Sequence, residues 1–151
     1  MLSSSRDEAA AALRGGGLRV TASRLAVLSV VTEGKHMSAD EVAQAARARV
    51  GSISTQAVYD VLGALTRGGL VRRIEPAGSP ARYETRVDDN HHHVVCRSCG
   101  AIADVDCVIG DPPCVIPADA EGFVLDEAEV TFWGLCPDCQ TKPETRTRRD
   151  R

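Results

Sequence analysis

All six cysteines lie beyond residue 95, and four of them form two C-x-x-C pairs, Cys96/Cys99 and Cys136/Cys139, separated by 36 residues. Each pair can close a tight knuckle, and four thiolates make a soft, closed, tetrahedral shell. Such a shell suits Zn²⁺ and leaves no open position, so its metal is structural. Immediately upstream the chain reads 91-HHHVVC-96. If this is a regular strand, side chains alternate, so His91 and His93 project from one face and His92 and Cys96 from the other. One strand can then serve two metal sites without the ligands competing. The acidic neighbours Glu84, Asp88, Asp89 and Asp104 point the same way for the histidines. Imidazoles mixed with carboxylates, short of a full shell, favour Fe²⁺ or Mn²⁺ and leave an exchangeable position. Cys107 and Cys114 belong to neither pair and read as small apolar fillers or inert thiols, with a redox role for Cys107, just after the liganded strand, as the alternative.

The charge divides the chain in two. Residues 1–83 hold 11 Lys/Arg against 7 Asp/Glu, whereas residues 84–139 hold 2 against 12, although the whole chain carries only -3. Only the first part is suited to approach a polyanion. A chain of 151 residues can bury one ordinary core or two small ones. It has no run of 18 apolar residues and no apolar stretch near its start that would serve as a signal, so a soluble, cytoplasmic protein with no membrane partner is expected.

The first part reads as helices. Thr21 can cap one that carries Leu25, Leu28 and Val31 and ends near Gly34. Ser38 and Glu41 form an S-x-x-E capping box for a second, to about Arg49. In 56-QAVYDVLGALTRGG-69, Val58, Val61, Leu62 and Leu65 make an apolar stripe, and the glycine pair stops the helix. Strands follow at 70-LVRRIE-75 and 81-ARYET-85 around a PAGSP turn. Three helices and a hairpin is the winged-helix order. The acidic part continues with short strands at 91–96 and 101–106, a Pro-rich connection and a longer run over 123–136, giving a small α/β or mainly β unit. The polar tail from residue 140 is expected to be disordered.

With its stripe facing the core, the third helix leaves Gln56, Tyr59, Asp60, Gly63 and Arg67 toward water. Gln56 can pair bidentately with adenine and Tyr59 can meet a thymine methyl or a phosphate. Ser54 and Thr55 at its start can offer hydroxyls to phosphate, and Arg19, Arg24, Arg72, Arg73 and Arg82 can grip the backbone. Asp60 opposes easy DNA binding unless it accepts from a cytosine amine or pairs with a neighbouring arginine. An enzyme is not expected. The stretch 136-CPDC-139 matches half of a zinc-deaminase signature, but no H-x-E occurs, and four cysteines leave no place for a metal-bound water.

Together, 18-LRVTASR-24, 53-ISTQAVYDVLGAL-65, 80-PARYE-84, 91-HHHVVCRSCG-100 and 136-CPDC-139 resemble the ferric uptake regulator family. Within it the chain is most similar to the peroxide-sensing actinobacterial catalase repressors. The resemblance implies an α+β homodimer with a winged-helix DNA-binding domain at 1–83, a hinge at about 84–90, and a small α/β dimerisation and metal-binding domain at 91–139 that holds zinc on the four cysteines. It implies a regulatory Fe²⁺ or Mn²⁺ on His36, Glu84, His91, His93 and Asp104, and a palindromic operator in double-stranded DNA. In peroxide sensors a ligand histidine is oxidised, here His36 or His91, and the genes controlled handle oxidative stress. Glu84 stands where the best-known peroxide sensors have Asp, as in iron-uptake repressors. Repression of iron-homeostasis genes is therefore the alternative.

Overall fold

The computed structural model describes residues 2–107 and 115–142. The chain divides into two compact units, Met1–Asp89 and Asn90–Arg151. No helix among the described residues is long and apolar enough to cross a membrane.

The first unit carries four helices, α1 Leu2–Gly15, α2 Ala22–Gly34, α3 Ala39–Val50 and α4 Thr55–Arg67, with short strands β1 Met37–Ser38, β2 Arg72–Ile74 and β3 Arg82–Glu84. Local chemistry sets the helix starts. Thr21 Oγ1 accepts from Arg24 N at 3.2 Å, and Ser54 Oγ accepts from Ala57 N at 3.0 Å. Ser38 and Glu41 cap each other, with Ser38 N donating to Glu41 Oε2 at 2.7 Å and Glu41 N to Ser38 Oγ at 3.3 Å. The core gathers Val27 and Val31 of α2, Val42 and Ala46 of α3, and Val58, Leu62 and Leu65 of α4. Each such fully buried large side chain contributes about 1.5–3 kcal/mol.

The helix α1 is an addition to the three expected. Its inward side is mostly alanine, with Ala9 and Ala12 packed beside the fully buried Leu13, so it shows almost no apolar stripe in the sequence. Two helices end in the same way. Leu18 N donates to Leu13 O and Gly17 N to Arg14 O after α1, and Leu70 N donates to Leu65 O and Gly69 N to Thr66 O after α4. This double bond pattern needs a residue at positive φ, met by Gly17 at +73° and Gly69 at +70°. The expected hairpin forms between β2 and β3, and β1 joins the free side of β3 in the order β1-β3-β2.

In the second unit β4, His91–Cys96, is the central strand. It pairs antiparallel with β5, Ile102–Asp106, and parallel with β6, Thr131–Gly134. Of the run 123–136 only β6 is strand; Phe123–Val130 is irregular. The short helix α5, Pro137–Gln140, follows. Gln140 closes α5 rather than opening a structureless tail, and its amide donates to Leu135 O at 2.8 Å. The tail from 143, and Cys114 in the Pro-rich connection, lie outside the described residues.

Candidate metal centres and nucleic-acid face

The parallel pairing of β4 with β6 sets Cys96 opposite Gly134, and this carries the second cysteine pair alongside the first. Arg97 N donates to Gly134 O at 2.8 Å, and its guanidinium stacks 5.4 Å from the Trp133 ring. The four sulfurs of Cys96, Cys99, Cys136 and Cys139 lie within 4.8 Å of one another, with Cys99 and Cys136 at 3.7 Å. A tetrahedron with ~2.3 Å zinc–sulfur bonds has edges of ~3.8 Å. The donor set and its spacing therefore fit zinc. Backbone N–H groups of Cys136 and Cys99 pull the Cys96 thiol down to about 6. Cys139, though lowered by a hydrogen bond with Ser98, is raised by hydrogen bonds with Cys136 and Cys99 and by burial, to about 11 overall. Opposite shifts in one cluster mean that these thiols compete for ionisation, a conflict that a divalent cation removes.

Within the first unit, the register Met37↔Tyr83 brings the residue before β1 beside the last residue of β3. His36 Nε2 lies 3.0 Å from Glu84 Oε2. Lys35 and His36 have φ of +50° and +33°, a region that non-glycine residues enter at a cost of order 1–3 kcal/mol. The strain falls where the chain must turn to aim His36 at Glu84. Only 3% of Glu84 is exposed, and a carboxylate so buried demands a positive partner.

Within the second unit, β4 runs without a bulge against β5, and His93 stands opposite Asp104. Asp104 Oδ1 is 3.6 Å from His93 Nε2 and 3.8 Å from His91 Nε2. The two rings meet edge to face at 4.8 Å between centroids, and each histidine is 2% exposed. These separations exceed hydrogen-bond length but lie within the reach of ligands ~2.1 Å from a shared ion. Asp106, opposite His91, puts a further carboxylate on this face. The alternation of side chains turns His92 the other way, where its Nδ1 accepts from Val130 N at 3.4 Å.

On α4, Gln56, Tyr59 and Asp60 are exposed, and Gln56 Nε2 donates to Asp60 Oδ1 at 2.9 Å. At its start Ser54 is taken up as the cap, whereas Thr55 Oγ1 accepts from Arg47 Nη2 at 2.9 Å, with Arg47 Nε also donating to Ile53 O at 3.0 Å. Arg47 of α3 thus clamps the approach to α4 and adds positive charge there. Its distance of eight residues from Thr55 gave no sequence signal. Arg19 and Arg73 lie at the surface, Arg73 paired with Glu75. Two of the other arginines expected on a DNA backbone are engaged within the unit. Arg24 Nη1 donates to Arg19 O at 2.9 Å, and Arg82 Nη1 lies 3.2 Å from Glu41 Oε2.

Residues 15–132 match the model of the Ferric uptake regulator family. The chain is 63% identical over 121 residues to "Ferric uptake regulation protein 1" of Mycolicibacterium fortuitum, covering 80% of this chain and 75% of the relative. It is 55% identical over 144 residues to "Transcriptional regulator FurA" of Mycobacterium tuberculosis, covering 95% and 98%. The "Peroxide operon regulator" of Bacillus subtilis matches at 28%, covering 89% and 93%. Among solved structures the ferric uptake regulator of Vibrio cholerae is similar with a TM-score of 0.65 at 25% identity, over 84% of this chain and 98% of that one. The fold, the thiolate cluster and these matches together place the chain among transcriptional regulators rather than enzymes, as a member of the ferric uptake regulator family.

Proposed function

We propose that this regulator is a metal-dependent repressor, competent for its operator when Fe²⁺ or Mn²⁺ joins His36 and Glu84 of the first unit to His91, His93 and Asp104 of the second. The observation that carries this reading is that each unit presents its own half of the ligand set, a buried or half-buried imidazole against a carboxylate. Three imidazoles and two carboxylates form a borderline donor set that suits Fe²⁺ or Mn²⁺. Zinc on the four cysteines is structural. An ion held from both units fixes one relative orientation of them, and with it the spacing of the two α4 helices in a homodimer. Half-sites of a palindrome lie a helical turn or a multiple apart, so wrong spacing forfeits the second helix's contacts. A second copy of the chain is the partner proposed for the apolar side chains that the second unit leaves in water, among them Ile116, Phe123, Val124 and Phe132.

The signal is iron itself in the first reading, supported by Glu84 and by the name of the relative at 63% identity. The second reading, peroxide, is favoured by the paired histidines beside an exchangeable position. Bound ferrous iron would there supply the electron that activates peroxide. His36 or His91 would gain an oxygen atom and lose its ligand lone pair, and the genes released would be those of oxidative defence. Binding to a duplex selected from a randomised pool, measured for the metal-free, Fe²⁺ and Mn²⁺ forms with and without micromolar-scale peroxide, tests both. Equal binding by the metal-free form overturns the proposal. Loss of binding only for iron plus peroxide, with one added oxygen on a His36 or His91 peptide, supports the second reading; indifference to peroxide supports the first.

A further inference from the structure

The exposed face of α4 carries one side-chain pair of unusual composition. Gln56 and Asp60 stand one turn apart, and the Gln56 amide donates to Asp60 Oδ1 at 2.9 Å. A carboxylate oxygen only accepts, so the pair fixes which way the amide is turned: nitrogen toward Asp60, oxygen away. The amide nitrogen has two hydrogens. One of them can go to Asp60 while the other, the hydrogen syn to Oε1, stays beside that oxygen to meet a base edge.

We propose that Asp60 is a specificity-determining residue that fits Gln56 to adenine and closes it to guanine. The inference rests on the reading that α4 enters the major groove. Adenine presents one acceptor, N7, beside one donor, the N6 amine, and the outer edge of the locked amide is its complement. Guanine presents two acceptors, O6 and N7. To meet both, the amide would need to turn its nitrogen to the base, and that movement breaks the bond to Asp60 and leaves a carboxylate facing acceptors. In water such an i, i+4 pair is weak. In a groove from which water has been displaced, nothing replaces Asp60 as partner for the amide hydrogen it accepts, and the lock holds. The carboxylate also repels phosphates, so it lowers affinity for duplex DNA in general while sharpening the choice of base.

The test uses the full chain loaded with zinc and Mn²⁺. A duplex is selected from a randomised pool by the wild type, and single-base variants of it are titrated by fluorescence anisotropy against wild type, Asp60→Ala, Asp60→Asn, Gln56→Ala and Tyr59→Ala. Wild type is expected to prefer adenine over guanine at one half-site position by on the order of tenfold. Asp60→Ala should bring that ratio to within about twofold at that position alone, and bind unrelated duplex more tightly with a steeper salt dependence. Asp60→Asn keeps an acceptor for the amide without the charge, and should retain more of the preference than Asp60→Ala. Circular dichroism establishes that each variant is folded. A folded Asp60→Ala with the wild-type adenine preference, or a wild type that distinguishes adenine from guanine at no position, overturns the proposal. If Gln56→Ala and Tyr59→Ala both bind every duplex as wild type does, it is the underlying placement of α4 in the groove that fails.

Discussion

Cys99 is the exposed corner of the thiolate cluster, yet its sulfur sits 3.7 Å from that of Cys136, so solvent access does not make it dispensable. Removing one corner of a four-thiolate shell leaves three protein ligands and an open position, and so weakens the hold on the ion. Structural zinc sites contribute roughly 10–16 kcal/mol of apparent binding free energy, which in a small domain is folding free energy. Cys99→Ser is expected to lower zinc from one per chain toward none and to remove the thermal transition of the second unit while that of the first persists. Metal analysis and a calorimetric scan check this; one tightly held zinc and an unchanged scan would dismiss the four-cysteine assignment. These cysteines were legible because spacing alone defines a knuckle. The division of the three histidines was legible too, because parity along β4 is a property of the strand. The place of Asp106 opposite His91 was not legible, because it depends on the register with β5, which no local pattern announces.

At the scale of the element, the capping box at Ser38 orders the chain directly after His36, so its chemistry bears on the first-unit half-site. Ser38→Ala is expected to cost about 1 kcal/mol and to lower the melting temperature of the first unit. The Ser38 backbone N–H holds the Glu41 carboxyl below the ordinary value of 4.5, helped by the Ser38 hydroxyl and by Arg82. A carboxyl depressed in the folded state contributes stability that is complete above its unfolded value and fades as pH falls through the folded one. The stability gap between wild type and Glu41→Gln should therefore be widest near neutrality and narrow as pH falls below the ordinary value of 4.5, as denaturant titrations at several pH values would record. A gap that widens in acid would contradict the cap. Ser38 and Glu41 could be read from sequence because the partners are three residues apart. His36 and Glu84 are 48 residues apart and meet through a two-residue strand, β1, that has no pattern of its own; Glu84 stood out as an acidic neighbour of the later histidines, but only the family resemblance joined it to His36. The helix α1 was invisible for another reason, since alanine packs without producing an apolar stripe.

Across the whole molecule, net charge and apolar exposure divide between the units. The positive surplus belongs to residues 1–83, and many of the large apolar side chains left in water belong to the second unit, with Val124 97% and Phe123 75% exposed. Polar surface for nucleic acid on one unit and apolar surface for a second chain on the other is the expected division of labour in a dimeric regulator. Val124→Asp should shift sedimentation toward monomer at micromolar concentration and weaken operator binding, with zinc content unchanged. A dimer as tight as wild type would place the contact elsewhere. One further consequence belongs to β4. Its last residue is a zinc ligand and its first and third residues are the histidines assigned to the regulatory ion, with both neighbouring strands hydrogen-bonded to it. On the proposed function, closing the zinc cluster at one end of β4 is the step that holds its histidines in line. A chain that lacks zinc is then expected to bind Mn²⁺ or Fe²⁺ poorly and to lose its operator with them.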